Sequence, residues 1–158
     1  MRPNPRWLQT ARRVYEAFRT TAHAAVASVH PPAELQVDPE RLRVLFAGPR
    51  TLTEQHVVAH AFTASGFRPS VLLSDGERGA SALAEAWARA RGIPIERHQS
   101  PWHYVGQGAD AMRHAAALAR TEALVAVWNG EDALIGGLIR QAYAAGVRVY
   151  VQRYDARR

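Results

Sequence analysis

Val71-Leu72-Leu73-Ser74-Asp75-Gly76-Glu77-Arg78-Gly79 is a short apolar run that ends in a turn of glycine and charge, and Ala80-Ser81-Ala82-Leu83-Ala84-Glu85-Ala86-Trp87-Ala88 behind it is helix-like. The same order occurs twice more. Arg43-Val44-Leu45-Phe46-Ala47 ends in Gly48-Pro49-Arg50, and Leu124-Val125-Ala126-Val127-Trp128 ends in Asn129-Gly130. Strand, flexible turn and helix in that order bring backbone N–H groups to the carboxyl end of a parallel sheet, where phosphates bind.

Working outward, the spacing predicts strands at roughly 42–47, 70–74, 93–97, 123–128 and 147–151, with helices between them. Thr51 and Glu54 are spaced as a capping box for the first of these helices, which runs to about Ala64. Pro94 suits an edge strand, and residues 99–107 form a loop. Strands without apolar–polar alternation, separated by helices, imply a parallel sheet covered on both faces. The expected fold is a three-layer α/β/α, Rossmann-like, doubly wound sheet of about five strands, most simply in the order 3-2-1-4-5. Trp7, Leu8, Ala11, Val14, Tyr15, Phe18, Ala22 and Ala25 recur at helical steps, which adds one N-terminal helix over roughly 7–29. The expected division is residues 1–40 as helix and linker, 41–153 as the domain, and 154–158 as a frayed tail.

Composition narrows the chemistry. The chain has 158 residues, enough for one domain with a real core. It has no cysteine, which excludes disulfides, thiolate metal sites and cysteine nucleophiles. All 20 basic residues are arginine, so a Walker-type lysine and a lysine Schiff base are excluded as well. The net charge of +6 is scattered, giving only weak support for nucleic acid binding. No apolar run is long enough for a membrane span, and the N-terminus lacks the apolar region of a secretion signal; the expected setting is cytoplasmic.

Several residues converge on the predicted crevice. Gly48 permits close approach, and Arg50 suits a phosphate, although a tight turn beside a surface arginine reads equally well. Ser74, Asp75, Gly76, Arg78 and Gly79 form the second turn, in which Gly76 and Gly79 can shape a nest of amide donors. Arg78 can instead pair with Asp75 or Glu77. Asn129 and Gly130 can cap the last helix, with Glu131 and Asp132 at its positive end. Gly136-Gly137 one turn on reads as close helix–sheet packing or as a displaced glycine turn. Trp102 can border a base or lock its loop by burial, and Arg113 can clamp a phosphate or solvate a helix face. His98, His103 and His114 surround the same loop. His56 and His60 have the spacing of half a zinc site but lack the rest of one, so no metal is expected. No catalytic triad is evident.

Ser74-Asp75-Gly76-Glu77-Arg78-Gly79-Ala80-Ser81 with its helix, Gly92-Ile93-Pro94, Gly48-Pro49-Arg50 and Trp102 with Tyr104-Val105-Gly106 together resemble the YspA/YpsA-like branch of the SLOG superfamily, named for the Smf/DprA and LOG proteins. The resemblance covers about 40–153. It implies a Rossmann-like sheet, binding of nucleotides or nucleotide-derived ligands, and frequent dimers. Asp75 stands where the family has a glycine, Ser81 replaces its aspartate, Gln107 replaces a lysine, and His114-Ala115 replaces Asn-Arg. Asn129-Gly130-Glu131-Asp132-Ala133 replaces the Pro-Gly-Gly-x-Gly-Thr turn of the LOG-like pattern, which argues against LOG-type phosphoribohydrolase activity.

The expected function is therefore binding of a nucleotide or nucleotide-derived small molecule, in a sensing role, by a homo-dimer or higher homo-oligomer, with no separate cofactor and no membrane partner. Two alternatives stand beside it. One is N-glycosidic hydrolysis of nucleoside monophosphates with Asp75 or Asp132 as the polar catalyst. The other is a DNA-binding or structural protein with a degenerate pocket.

Overall fold

A computed structural model of the chain describes Arg13, residues 41–98 and residues 109–155. Strands and helices alternate along it: β1 (Arg41–Ala47), α1 (Gln55–Ser65), β2 (Arg68–Ser74), α2 (Ala80–Arg89), β3 (Ile95–Arg97), α3 (Ala109–Leu118), β4 (Ala123–Trp128), α4 (Ala133–Ala144) and β5 (Arg148–Arg153). The strands form one sheet in the order β3-β2-β1-β4-β5, and each neighbouring pair is parallel. Arg13 is helical and exposed; the rest of the predicted N-terminal helix, and the loop holding Trp102 and His103, lie outside the described residues.

Consecutive apolar residues in β1 explain the layering. Val44 and Phe46 project into a core shared with Val58, Ala61 and Phe62 of α1 and Ala80, Ala84 and Ala88 of α2. Leu45 projects the other way, into a core with Ala117 and Leu118 of α3 and Ile135, Leu138 and Ile139 of α4. A strand buried on both faces has no use for polar alternation, and β4 is buried from Ala123 through Val127 for the same reason. The first core contains an aromatic stack: Phe46 and Phe62 lie 5.3 Å apart between ring centroids, and Phe62 and Trp87 lie 3.9 Å apart and nearly parallel. The Arg91 guanidinium covers the outer ring of Trp87 at 4.4 Å.

Two local expectations are corrected. The Thr51–Glu54 capping box does not form, because the buried Leu52 pulls the chain inward and its N–H closes a turn on the Pro49 carbonyl (3.2 Å). Helix α1 starts later, at Gln55, with Glu54 at the N-cap position making no side-chain cap. Tyr154, expected in a frayed tail, is tied back: its N–H donates to Trp128 O (3.1 Å), its hydroxyl donates to the Glu54 carboxylate (3.2 Å), and its ring packs on the first core.

Phe62 joins both stacked pairs, so truncation empties the space between α1, α2 and the sheet. Phe62→Ala is expected to cost about 3–5 kcal/mol. The measurement is a urea titration, with the midpoint falling while the slope stays unchanged.

Candidate functional site

In the sheet order the chain passes from β1 to β2 and β3 on one side, then crosses to β4 and β5 on the other. A parallel sheet opens a crevice at such a reversal, beyond the carboxyl ends of its strands. Here it is a cleft of about 1010 Å³, lined by the turn after β1, the turn after β2, His98 beyond β3, and residues of α3 and α4.

The floor is set by two turns in contact. The Ala80 N–H donates to Pro49 O at 3.1 Å, joining the start of α2 to the turn after β1. A Cβ on Gly79 would stand 2.3 Å from the Arg50 carbonyl oxygen, and Gly79 has φ +77, so only glycine fits there. Gly48 serves the same contact from the other side, since a Cβ there would come within 2.6 Å of Ala80 Cβ and 3.2 Å of Val127 Cβ. Both glycines therefore act through packing of the turns. Arg50 lines the cleft and pairs loosely with Glu77 at 3.6 Å.

The amide nest expected after β2 is largely spent within the turn. Ser74 is fully buried, and its hydroxyl accepts the Gly76 N–H at 3.1 Å; Asp75 Oδ1 accepts the Glu77 N–H at 2.9 Å. Gly76 instead makes room for Arg97, whose Cδ would lie 3.2 Å from an added Cβ. Arg97 donates twice to Glu85 of α2, at 2.9 and 2.7 Å, and Arg89 donates to the same carboxylate at 2.7 Å. Glu85 is only 2% exposed. The Arg97 hydrogen bonds hold its carboxyl below the usual range against the opposing effect of burial, with Ser74 adding a further hydrogen bond.

Helix α2 keeps an open positive end. Its N-cap is Gly79, it has no side-chain cap, and its first turn carries no acid. Ser81 in that turn is 4% exposed and faces the cleft, and among the described residues its hydroxyl meets no hydrogen-bond partner. Arg78 also lines the cleft and forms no pair with Asp75 or Glu77.

The turn before α4 is arranged in the opposite way. Asn129 Oδ1 accepts the Glu131 and Asp132 N–H groups, each at 2.9 Å, and Asp132 Oδ1 accepts those of Leu134 and Ile135 at 2.9 and 3.1 Å. Asp132, rather than Asn129, is the cap, and it occupies the helix terminus. Gly130 packs against the Arg153 guanidinium, which lies 5.5 Å from the Trp128 ring. Neither Asn129 nor Gly130 lines the cleft. Gly136 and Gly137 sit close to Trp128 and His114 respectively, which settles their role as packing.

The cleft thus gathers Gly48, Arg50, Asp75, Arg78 and Arg113 of the expected site, whereas Ser74, Gly76, Gly79, Asn129 and Gly130 do not line it; Trp102 lies outside the described residues. It adds Ser81, Glu77, Asp132, His98 and His114. Gln141 donates to Ala111 O (3.0 Å), which turns its amide oxygen to His114 Nδ1 (3.1 Å) and assigns that nitrogen the proton in the neutral ring. Burial pushes His98 below the usual histidine range, although Asp75 and Glu96 oppose the shift. His60 meets Gln152 Oε1 at 2.8 Å, and the described residues contain no group of three or more His, Asp or Glu side chains that could hold a metal.

Residues 42–104 match the model of YAcAr, the YspA, cpYpsA-related SLOG family. No curated protein matches the chain. The YAcAr match covers less than half of the sequence and supports SLOG superfamily membership. It takes in both turns of the cleft floor and His98, whereas Arg113, His114 and the α4 turn lie beyond it.

Glu85 anchors the arginine beneath the second turn, so its loss leaves Arg97 unmoored. Glu85→Ala is expected to destabilise the protein by about 1–3 kcal/mol, discounted because both arginines are half exposed to solvent. Because the folded-state pKa is lowered, this stabilisation is complete above the unfolded value near 4.5 and is lost as pH falls through the folded value. Thermal melts from neutral pH into acid should show wild type and variant converging.

Proposed function

We propose that the cleft binds a nucleotide or nucleotide-derived ligand with a phosphate at the amino end of α2. The observation that carries the reading is Ser81, a serine 4% exposed that lines the cleft at a helix terminus without a side-chain cap. A helix start without acids favours an anion, and a hydroxyl in its first turn supplies a hydrogen bond without repelling it. The aspartate that the family pattern has at this position would repel the same anion. Arg50, Arg78 and Arg113 line the space around it. The match to a SLOG family model supports a nucleotide-related role in general terms.

The hydrolytic alternative draws less support, because Asp132 is committed to capping α4 and Asp75 to the turn after β2. Each carboxylate is held in its turn through Oδ1, which leaves only Oδ2 to act on a substrate. The cleft suits retention of a ligand better than turnover, which fits a sensor.

A thermal-shift series with AMP, ADP, ATP and ADP-ribose tests the reading. A ligand at about one hundred times its dissociation constant stabilises by about 2.7 kcal/mol. We expect a clear rise in melting temperature with at least one of these ligands, reduced in Arg78→Ala and Arg113→Ala and abolished in Ser81→Asp. Absence of any shift, or a shift that survives Ser81→Asp unchanged, would contradict the proposal.

A further inference from the structure

The cleft contains a group that the proposed phosphate contacts do not use. His98 follows β3 directly, and its N–H donates to the Ser74 carbonyl at 2.9 Å, which fixes its backbone beside the turn after β2. Its half-buried side chain lines the same cleft as Arg50, Arg78 and Arg113. Among the described residues the imidazole makes no hydrogen bond, and it lines the cleft.

The charge of the lining gives this position its meaning. Arg50, Arg78 and Arg113 are matched in number by Asp75, Glu77 and Asp132. A ligand carrying more than one negative charge enters a wall with no formal surplus of positive charge. Of the lining groups, only the imidazoles have an ordinary titration range close to neutral pH. His114 has Nδ1 engaged by Gln141, whereas His98 stands beside the turn that leads into the open end of α2.

We propose that His98 is the proton-accepting contact of this cleft, so that an anionic ligand binds together with a proton taken up on its imidazole. The inference rests on the nucleotide reading of the same site and adds a binding residue and a linkage to it. The charged groups facing His98 are Asp75 from the turn after β2, Glu96 of β3 and Arg120 beyond α3. Burial favours the neutral ring, the two carboxylates favour its charged form, and Arg120 opposes it. An anion in contact shifts that balance towards imidazolium. Proton uptake is then confined to the window between the pKa of the empty protein and that of the complex, and vanishes on either side.

The test is isothermal titration calorimetry of AMP into the full chain at about pH 6.5, near the ordinary histidine range, in two buffers of different ionisation enthalpy. The dependence of heat on buffer reads the protons taken up. The phosphate of AMP itself titrates near about pH 6, so His98→Gln, with His98→Asn as a second neutral replacement, separates the protein's proton from the ligand's. For each AMP bound, the wild-type protein should take up more protons than either His98 replacement, by as much as about one. AMP affinity should rise by up to about tenfold per pH unit lowered within the window. His114→Gln should retain the uptake, whatever it does to affinity. AMP binding with equal uptake in wild type and both His98 replacements overturns the role of His98 alone. No binding of AMP or of the other nucleotides overturns the nucleotide reading, and this inference with it.

Discussion

Backbone contact between two turns holds the cleft in shape. The turn after β1 gives its Pro49 carbonyl to the first amide of α2, while the Arg50 carbonyl lies so close to Gly79 that any side chain there would overlap it. Gly48 completes the contact from the sheet side, against Ala80 and Val127. This arrangement aims α2 at the crevice and places Arg50, Arg78 and Ser81 along one wall. Side-chain chemistry in the cleft depends on that approach of main chain to main chain, which tolerates almost no added volume.

The two helices that start at the crevice are treated differently. α4 begins with an aspartate that accepts two of its own amides, so its positive end is already neutralised. α2 begins with a glycine, has no acid in its first turn, and presents Ser81 to the cleft instead. The electrostatic asymmetry makes the amino end of α2 more favourable to an anion than that of α4. Beneath that second turn the buried Glu85, with Arg97, Arg89 and Ser74, ties α2, β2 and β3 together. The turn thus stands on a charged network rather than on apolar packing alone, which gives it a fixed geometry at a desolvation cost.

Much of the fold is legible in the sequence because apolar periodicity is a local property. Runs such as Val44-Leu45-Phe46 and Leu124 through Val127 announce strands buried on both faces, and Gly66, Gly92 and Gly146 mark helix ends. The capping box suggested by Thr51 and Glu54 fails because burial of Leu52, a tertiary event, delays the start of α1. Tyr154 reads as a tail residue because its partner, Glu54, is remote in sequence. Within the site, turn position suffices to find Arg50 and Arg78, whereas Arg113 lies inside α3. Ser81 stands out only as a departure from the family pattern, since nothing local distinguishes a helix serine that faces a cleft from one that faces solvent.

By itself, then, the chain determined a parallel α/β sheet, three strand-to-helix turns, an all-arginine set of cations and the absence of any thiol or lysine chemistry. These follow from residue type and spacing, which need no knowledge of neighbours. Only the tertiary structure decided which backbone amides were already consumed, which carboxylate capped its own helix, which histidine was half-buried beside the second turn, and which glycines were needed for space rather than for a ligand. Those outcomes depend on distances between segments far apart in sequence, where a few tenths of an ångström decide whether a donor is spent inside the protein or left for something that binds.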